Sequence, residues 1–324
     1  MSAPPATSLE NDDLDSPSAS FLALLVLVTA LGPLSMQIFL PALPAIQADF
    51  GVSTGTAQLT LSLSMVSIAV STLAYGPLSD RFGRRPVMLA GISVFLLGSA
   101  ICVVAGHVAV LIVGRVIQAA GGSCGMVLSR AIVRDVYASD KVARMLAYMM
   151  VAMVVAPMVA PAIGGVLTDY ISWRANFAFV GLVGLLVLAG VARRLTETHS
   201  APPTHVGVAG MIQGMRLLLR SRRFNGFAFQ GAFLLSVFFT FSSSAPYFMI
   251  NVLGRPTWEY GLDFIFIAFA FMVGNFVAAR VSARFGNERM VIAGSVTALA
   301  GTLVGASIIF SGSWTPWSIF GPGV

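Results

Sequence analysis

Apolar runs and polar breaks alternate along the chain with a regularity that sets its secondary structure. Runs of helix-spanning length lie near 21–44, 57–79, 87–106, 109–131, 144–168, 174–195, 224–250, 260–281 and 289–311. About 20 apolar residues suffice to cross a bilayer as a helix. The runs lack a strand-like period of two, and an open sheet in lipid would leave its backbone polar groups unpaired. The pattern predicts nine membrane-spanning helices and the start of a tenth near Trp314.

Composition agrees with that pattern. Of 324 residues, 57% are hydrophobic and 10% charged, and the mean hydropathy is +0.87. A soluble domain carries about a quarter charged residues, so lipid rather than water must surround most of this chain. A pI of 9.9 would suggest nucleic acid in a soluble protein. Here the basic residues lie between spans, so no nucleic-acid partner is expected and membrane orientation accounts for them. Cys102 and Cys124 fall in apolar runs and read as small buried hydrophobes. The first twenty residues hold Glu10, Asp12, Asp13 and Asp15 but no lysine or arginine. That excludes a secretory signal and predicts a disordered polar tail over 1–20.

Sixteen of the nineteen lysines and arginines occupy alternate connections, starting with Arg81, Arg84 and Arg85. The positive-inside rule places these loops, and with them the N-terminus, in the cytoplasm. The longest connection, 196–223, opens with a polar stretch. It continues with Met211, Ile212, Met215, Leu218 and Leu219 on one helical face, beside arginines. It reads as a linker containing a helix that lies on the inner membrane surface.

The triplet "RFG" at 81–83 recurs at 284–286, an offset of 203 residues that also carries Phe21 onto Phe224. Two parallel six-helix bundles explain the offset: 21–195, then the linker 196–223, then a partial second bundle over 224–324. A second bundle copying the first would run to about residue 398. The expectation is that 324 residues insert but do not transport without the remaining helices.

Several stretches hold residues a purely apolar span does not need. "GPLSDRFGRRP" (76–86) sets Asp80 among Arg81, Arg84 and Arg85. A tight reversal needs glycine, expected at Gly83, with Gly76 as a second candidate. Topology alone requires neither the aspartate nor the glycines, so this loop reads as a gate in which Asp80 pairs with an arginine or faces a helix N-terminus of the opposite half. Arg115 lies within the fourth span, with Gln118 one turn on. A guanidinium there costs about 2.5–3.5 kcal/mol on the insertion scale, which marks it as functional unless it snorkels to the interface. It keeps its own proton, so its role would be to tune a neighbour or bind an anion. In the fifth span Pro157, Pro161, Gly164 and Gly165 predict a kink or a close helix contact.

In order, "FLPALPAI" (39–46), the 76–86 loop, "GRVIQAAGGS" (114–123), "IVRDVY" (132–137), "APMVAPAIGG" (156–165) and "WRANF" (173–177) resemble the major facilitator superfamily. Within it they are most similar to proton-driven drug-efflux transporters of the Bcr/CflA type, over the whole chain. The resemblance implies an all-α, major-facilitator-like membrane protein of two six-helix bundles, the second incomplete. It implies export of small amphipathic drugs in exchange for protons, by a monomer in the bacterial inner membrane. It assigns the 76–86 loop to gating, Arg115 to proton transfer and the fifth-span pattern to exchangers.

One departure stands out. Where many relatives have an acidic residue before the "LPALP" segment, this chain has Gln37, which cannot carry a proton. Asp135 and Asp263 remain as candidate coupling carboxylates, and Ala283 replaces the aspartate in the second-half copy of the loop. Met36, Gln37, Phe39, Phe238, Phe239 and Phe241 are candidate walls of a substrate path between the halves. No Walker A sequence supports ATP-driven transport. His107, His199 and His205 lack zinc-ligand spacing, and no cofactor is expected. The competing readings are a proton-coupled nutrient importer and an inactive truncated remnant.

Overall fold

The computed structural model describes residues 19–198, 208–312, 315–316 and 320–321. Residues 1–18 of the tail expected over 1–20, most of the polar opening of the linker (199–207) and most of the tenth-span region lie outside these residues, and 19–20 already belong to the first helix. Among the described residues, nine segments are long and apolar enough to cross a membrane, all helical.

The first segment is broken. Helix α1 (Ala19–Gln37) gives way to a 3-10 turn at Leu40–Ala42, and α2 (Leu43–Phe50) restarts the helix. The apolar run predicted a single helix over 21–44. Pro41 and Pro44, which donate no backbone N–H, sit at the first turns of the two new elements and account for the break. Five helices complete the first half: α3 (Thr54–Phe82), α4 (Arg84–Val103), α5 (Val108–Val136), α6 (Ser139–Tyr170) and α7 (Trp173–Arg194). Capping residues start three of them. The side chains of Ser53, His107 and Ser172 accept hydrogen bonds from Thr56 N, Ala109 N and Arg174 N.

In lipid, helices associate by close packing rather than by escape from water. The α4–α5 seam does this through glycines: a Cβ on Gly98 would overlap the Gln118 backbone, and one on Gly121 the Phe95 backbone. Hydroxyl groups of α3 reach carbonyls of α5, with Ser67 Oγ donating to Val116 O at 2.8 Å and Tyr75 Oη to Ala120 O at 3.0 Å.

The linker helix α8 (Val208–Arg220) leads into α9 (Arg222–Tyr247), followed by a π-turn at Phe248–Val252, then α10 (Thr257–Phe285) and α11 (Asn287–Phe310). The second half joins the first chiefly where α10 lies along α6, and where α9 meets α2 and the 3-10 turn. On α10, Thr257, Tyr260, Gly261, Phe264 and Ile267 are buried, whereas 271–277 are exposed on every side. The halves therefore meet at the face opposite the arginine-rich loops, and α10 is uncovered toward those loops.

Candidate functional site

Three groups of residues carry features that packing alone does not require. The first surrounds the turn between α3 and α4. Gly83 has φ 93° and ψ 154°, a conformation that L side chains avoid. Gly76, the other glycine expected to matter for this reversal, lies inside α3, and a Cβ there would meet nothing within 4 Å. The reversal therefore needs only Gly83.

Arg84, 8% exposed, is the hub of this group. Its Nη1 donates to Asp80 Oδ1 and to Ser79 Oγ, and its Nε to Asp135 Oδ2 at 3.0 Å. Asp135, a candidate for proton coupling beside Arg115, is thus brought to Arg84 instead. Arg84 N and Arg85 N donate to the two carboxylate oxygens of Glu197, at 2.9 and 3.3 Å. Arg85 Nη2 reaches Ala192 O at 3.0 Å, while Arg81 is exposed and stacks on Phe82. Glu197 anchors the first residues of the linker to the N-terminus of α4, where a carboxylate is favoured. Sequence reasoning passed over it because it lies in a stretch read as plain polar linker.

The second group is Arg115, which is 0% exposed, so it does not snorkel. Its Nη1 donates to Gln118 Oε1 at 2.6 Å and to Ser35 O at 3.1 Å, and Nη2 lies 3.2 Å from Met36 Sδ. The guanidinium stacks 3.9 Å from the Phe39 ring centroid and 5.8 Å from that of Phe177. Gln118 Nε2 donates in turn to Ser99 Oγ at 2.8 Å. Among the described residues its hydrogen-bond acceptors are neutral and Nε has none. A buried cation held by carbonyls, a thioether and ring faces is stabilised less than one held by a carboxylate. Ser99, which reaches Gln118 from α4, was not singled out from the sequence, and Phe177 was noted only as the end of "WRANF", because neither carries a local sign of this partner.

Of the residues expected on a substrate path, Met36 and Phe39 therefore lie beneath Arg115 inside the first half. Gln37 is buried, and its Oε1 has no partner among the described residues. Phe238 and Phe241 belong to the second half: Phe238 packs edge-on to Phe264 and Phe241 to Phe320. Phe239 and Tyr247 cross to the first half and pack on the cluster that contains Met36, Phe39 and Leu40.

The third group is the crossing of α6 and α10. Pro157 and Pro161 lie inside an unbroken α6. A Cβ on Gly164 would overlap Ile38 O, in the break just after α1. One on Gly165 would come within 2.6 Å of Thr257 O and 2.8 Å of Trp258 Cα. From the other side, a Cβ on Gly261 would lie 2.5 Å from Pro161 O. The fifth-span pattern thus brings the two halves into backbone-to-backbone contact. At the same face Asp49 Oδ2 accepts from Trp173 Nε1 and Arg174 Nη1, both at 3.0 Å, tying α2 to α7.

The model of the Major Facilitator Superfamily matches residues 25–323. The chain is 31% identical over 286 residues to an MFS-type transporter of Bacillus subtilis, YdgK, covering 87% of this chain and 71% of that one. It is 30% identical over 270 residues to Multidrug resistance protein D of Escherichia coli, covering 83% and 67% of the two. A solved bacterial homologue of the human lysosomal transporter Spinster, inward-facing and unoccupied, shares the fold. Its TM-score is 0.74 at 18% identity, with 95% of this chain and 73% of that one covered. With a helical frame of two converging halves and a family match along nearly its whole length, the chain belongs to the major facilitator superfamily.

Proposed function

We propose that this protein is a secondary active transporter that exports small amphipathic drug-like compounds across the bacterial inner membrane in exchange for protons. In this reading it acts as a monomer, with its arginine-rich loops and N-terminus in the cytoplasm. The observation that carries the proposal is the α6–α10 crossing. Backbone meets backbone at Gly165 and Gly261, while α10 is exposed at its other end. Two bundles joined backbone to backbone at one face suit alternating access by rocking about that crossing. Resemblance to a multidrug resistance protein favours export over import.

The residues then take these roles. Asp80, Gly83, Arg84 and Arg85, with Arg81 on the exposed side, form the cytoplasmic gate. Asp135 belongs to the same gate, as one of the two carboxylates that hold Arg84. Arg115 and Gln118 place a fixed positive charge beside the path, where it discriminates between protonated and drug-bound states. Gln37, Met36, Phe39, Phe238 and Phe241 line the path once the halves move.

The test uses everted membrane vesicles from cells expressing the complete coding sequence. Energised vesicles are expected to accumulate several chemically unlike antibiotics, and an uncoupler should abolish the accumulation. Asp80→Asn should insert normally and lose it. Accumulation that ignores the proton gradient would overturn proton exchange, and accumulation only in right-side-out vesicles would indicate an importer.

A further inference from the structure

Helix α10 starts without a cap of its own. Pro256 precedes it and supplies no side-chain acceptor, although the first N–H groups of any helix lack intrahelical partners. One of them is satisfied from the opposite half of the molecule: Trp258 N donates to Asp169 Oδ2 at 2.9 Å. Asp169 stands next to last in α6, one turn beyond Gly165. A carboxylate facing a helix N-terminus gains from both the helix dipole and a charge-assisted hydrogen bond. Glu259, in the same first turn of α10, faces Arg255 at 3.7 Å. The backbone of α10 is thus the group the structure pairs with Asp169.

We infer that Asp169 is a gate residue: its hydrogen bond to the first turn of α10 latches the two halves together at the face opposite the arginine-rich loops. The inference rests on the alternating-access reading above, in which this face is the outer one. Gly165 and Gly261 allow the halves to touch but carry no side chain that attracts. Asp169 supplies a directional attraction, and the bond exists only while α6 and α10 are in register. Each outward opening must break it, so its strength sets how much of the protein is open to the outside. Asp169 acts through α10 rather than on substrate, which makes it a positioning residue for transport.

Thr257, the first residue of α10, is 6% exposed and reports on the closure. The full chain carrying Thr257→Cys, in right-side-out membrane vesicles, is treated with a membrane-impermeant maleimide and its labelling rate followed. With Asp169 intact, labelling should be slow. Adding Asp169→Ala should raise the rate about tenfold, the scale of one lost hydrogen bond to a charged group. Asp169→Asn keeps an acceptor oxygen of the same shape but loses the charge, and should return the rate part of the way toward the parent. That rescue would not follow from a general loosening of the fold. Equal labelling in the parent and Asp169→Ala, at equal amounts of inserted protein, overturns the latch even if drug accumulation persists. Conversely, faster labelling in Asp169→Ala supports the latch even if no form shows proton-driven accumulation, so the two readings fail separately.

Discussion

At Gly83 the chain leaves α3 with φ 93° and ψ 154°, and Gly83 N donates to Ser79 O at 3.0 Å. At Gly286 it leaves α10 with φ 77° and ψ 159°, and Gly286 N donates to Ser282 O at 2.9 Å. The two backbones turn alike, each after "RF", and each starts the next helix. Their surroundings differ. A Cβ at Gly83 would overlap the Glu197 carboxylate, whereas at Gly286 it would meet nothing within 4 Å. Arg84 gathers Asp80, Ser79 and Asp135, while the second turn has an exposed pair of Arg223 and Glu288 on its surface. Glycine accounts for the reversal in both halves. The carboxylates distinguish the turn proposed as a gate from one that carries an exposed pair.

The sharpest way to break this contrast is Arg84→Ala. It leaves Asp80 and Asp135 facing each other without their shared cation, at a cost of about 2 kcal/mol. Proton-driven drug accumulation should fall more than tenfold while insertion continues. The corresponding change in the second turn, Glu288→Ala, breaks only an exposed pair and should alter accumulation less than twofold.

Glycine itself provides the next comparison. Gly83→Ala and Gly286→Ala both force on alanine a positive φ with an extended ψ, a region almost reserved for glycine, costing about 1–3 kcal/mol. Only the first also displaces Glu197. Gly83→Ala should therefore lower the thermal stability of the detergent-solubilised protein more than Gly286→Ala does. Equal losses would show that Glu197 yields without consequence.

Glu197→Gln should have a smaller effect still. The amide keeps one acceptor oxygen for Arg84 N or Arg85 N and loses the charge at the α4 N-terminus, a change of about 0.5–1 kcal/mol. A fall in transport of two- to fivefold is expected, read as antibiotic tolerance at matched expression. Tolerance equal to that of the parent would detach the linker from the gate.

Much of this frame was legible in the chain. Apolar runs place the spans because lipid leaves helices as the only way to satisfy their backbone, and the described helices fall on the expected runs. Gly83 was legible because a reversal of that kind admits few residues. The position of Arg115 was not. Sequence alone left it between interior and interface, and contacts with Ser35, Met36 and Phe39, about 80 residues away, hold it inside. The break after Gln37 was written in Pro41 and Pro44, but the length of the apolar run read as one helix. Glu197 was missed since a glutamate in a polar stretch carries no local sign of its partner. The meeting of Gly165 with α10 was likewise invisible, because it depends on how two halves dock and not on the pattern within either.

The central claim is exchange of drug for protons by a protein whose buried arginine takes part. It is tested most directly in liposomes reconstituted with the product of the complete coding sequence, acidic inside and containing a pH-sensitive dye. Adding antibiotic outside should raise the internal pH as drug enters and protons leave. Arg115→Ala should abolish that rise, and Arg115→Lys should restore little, since lysine lacks the planar fork that reaches Gln118 and Ser35 together. No antibiotic-dependent rise in the parent, or an undiminished one in Arg115→Ala, would contradict the account.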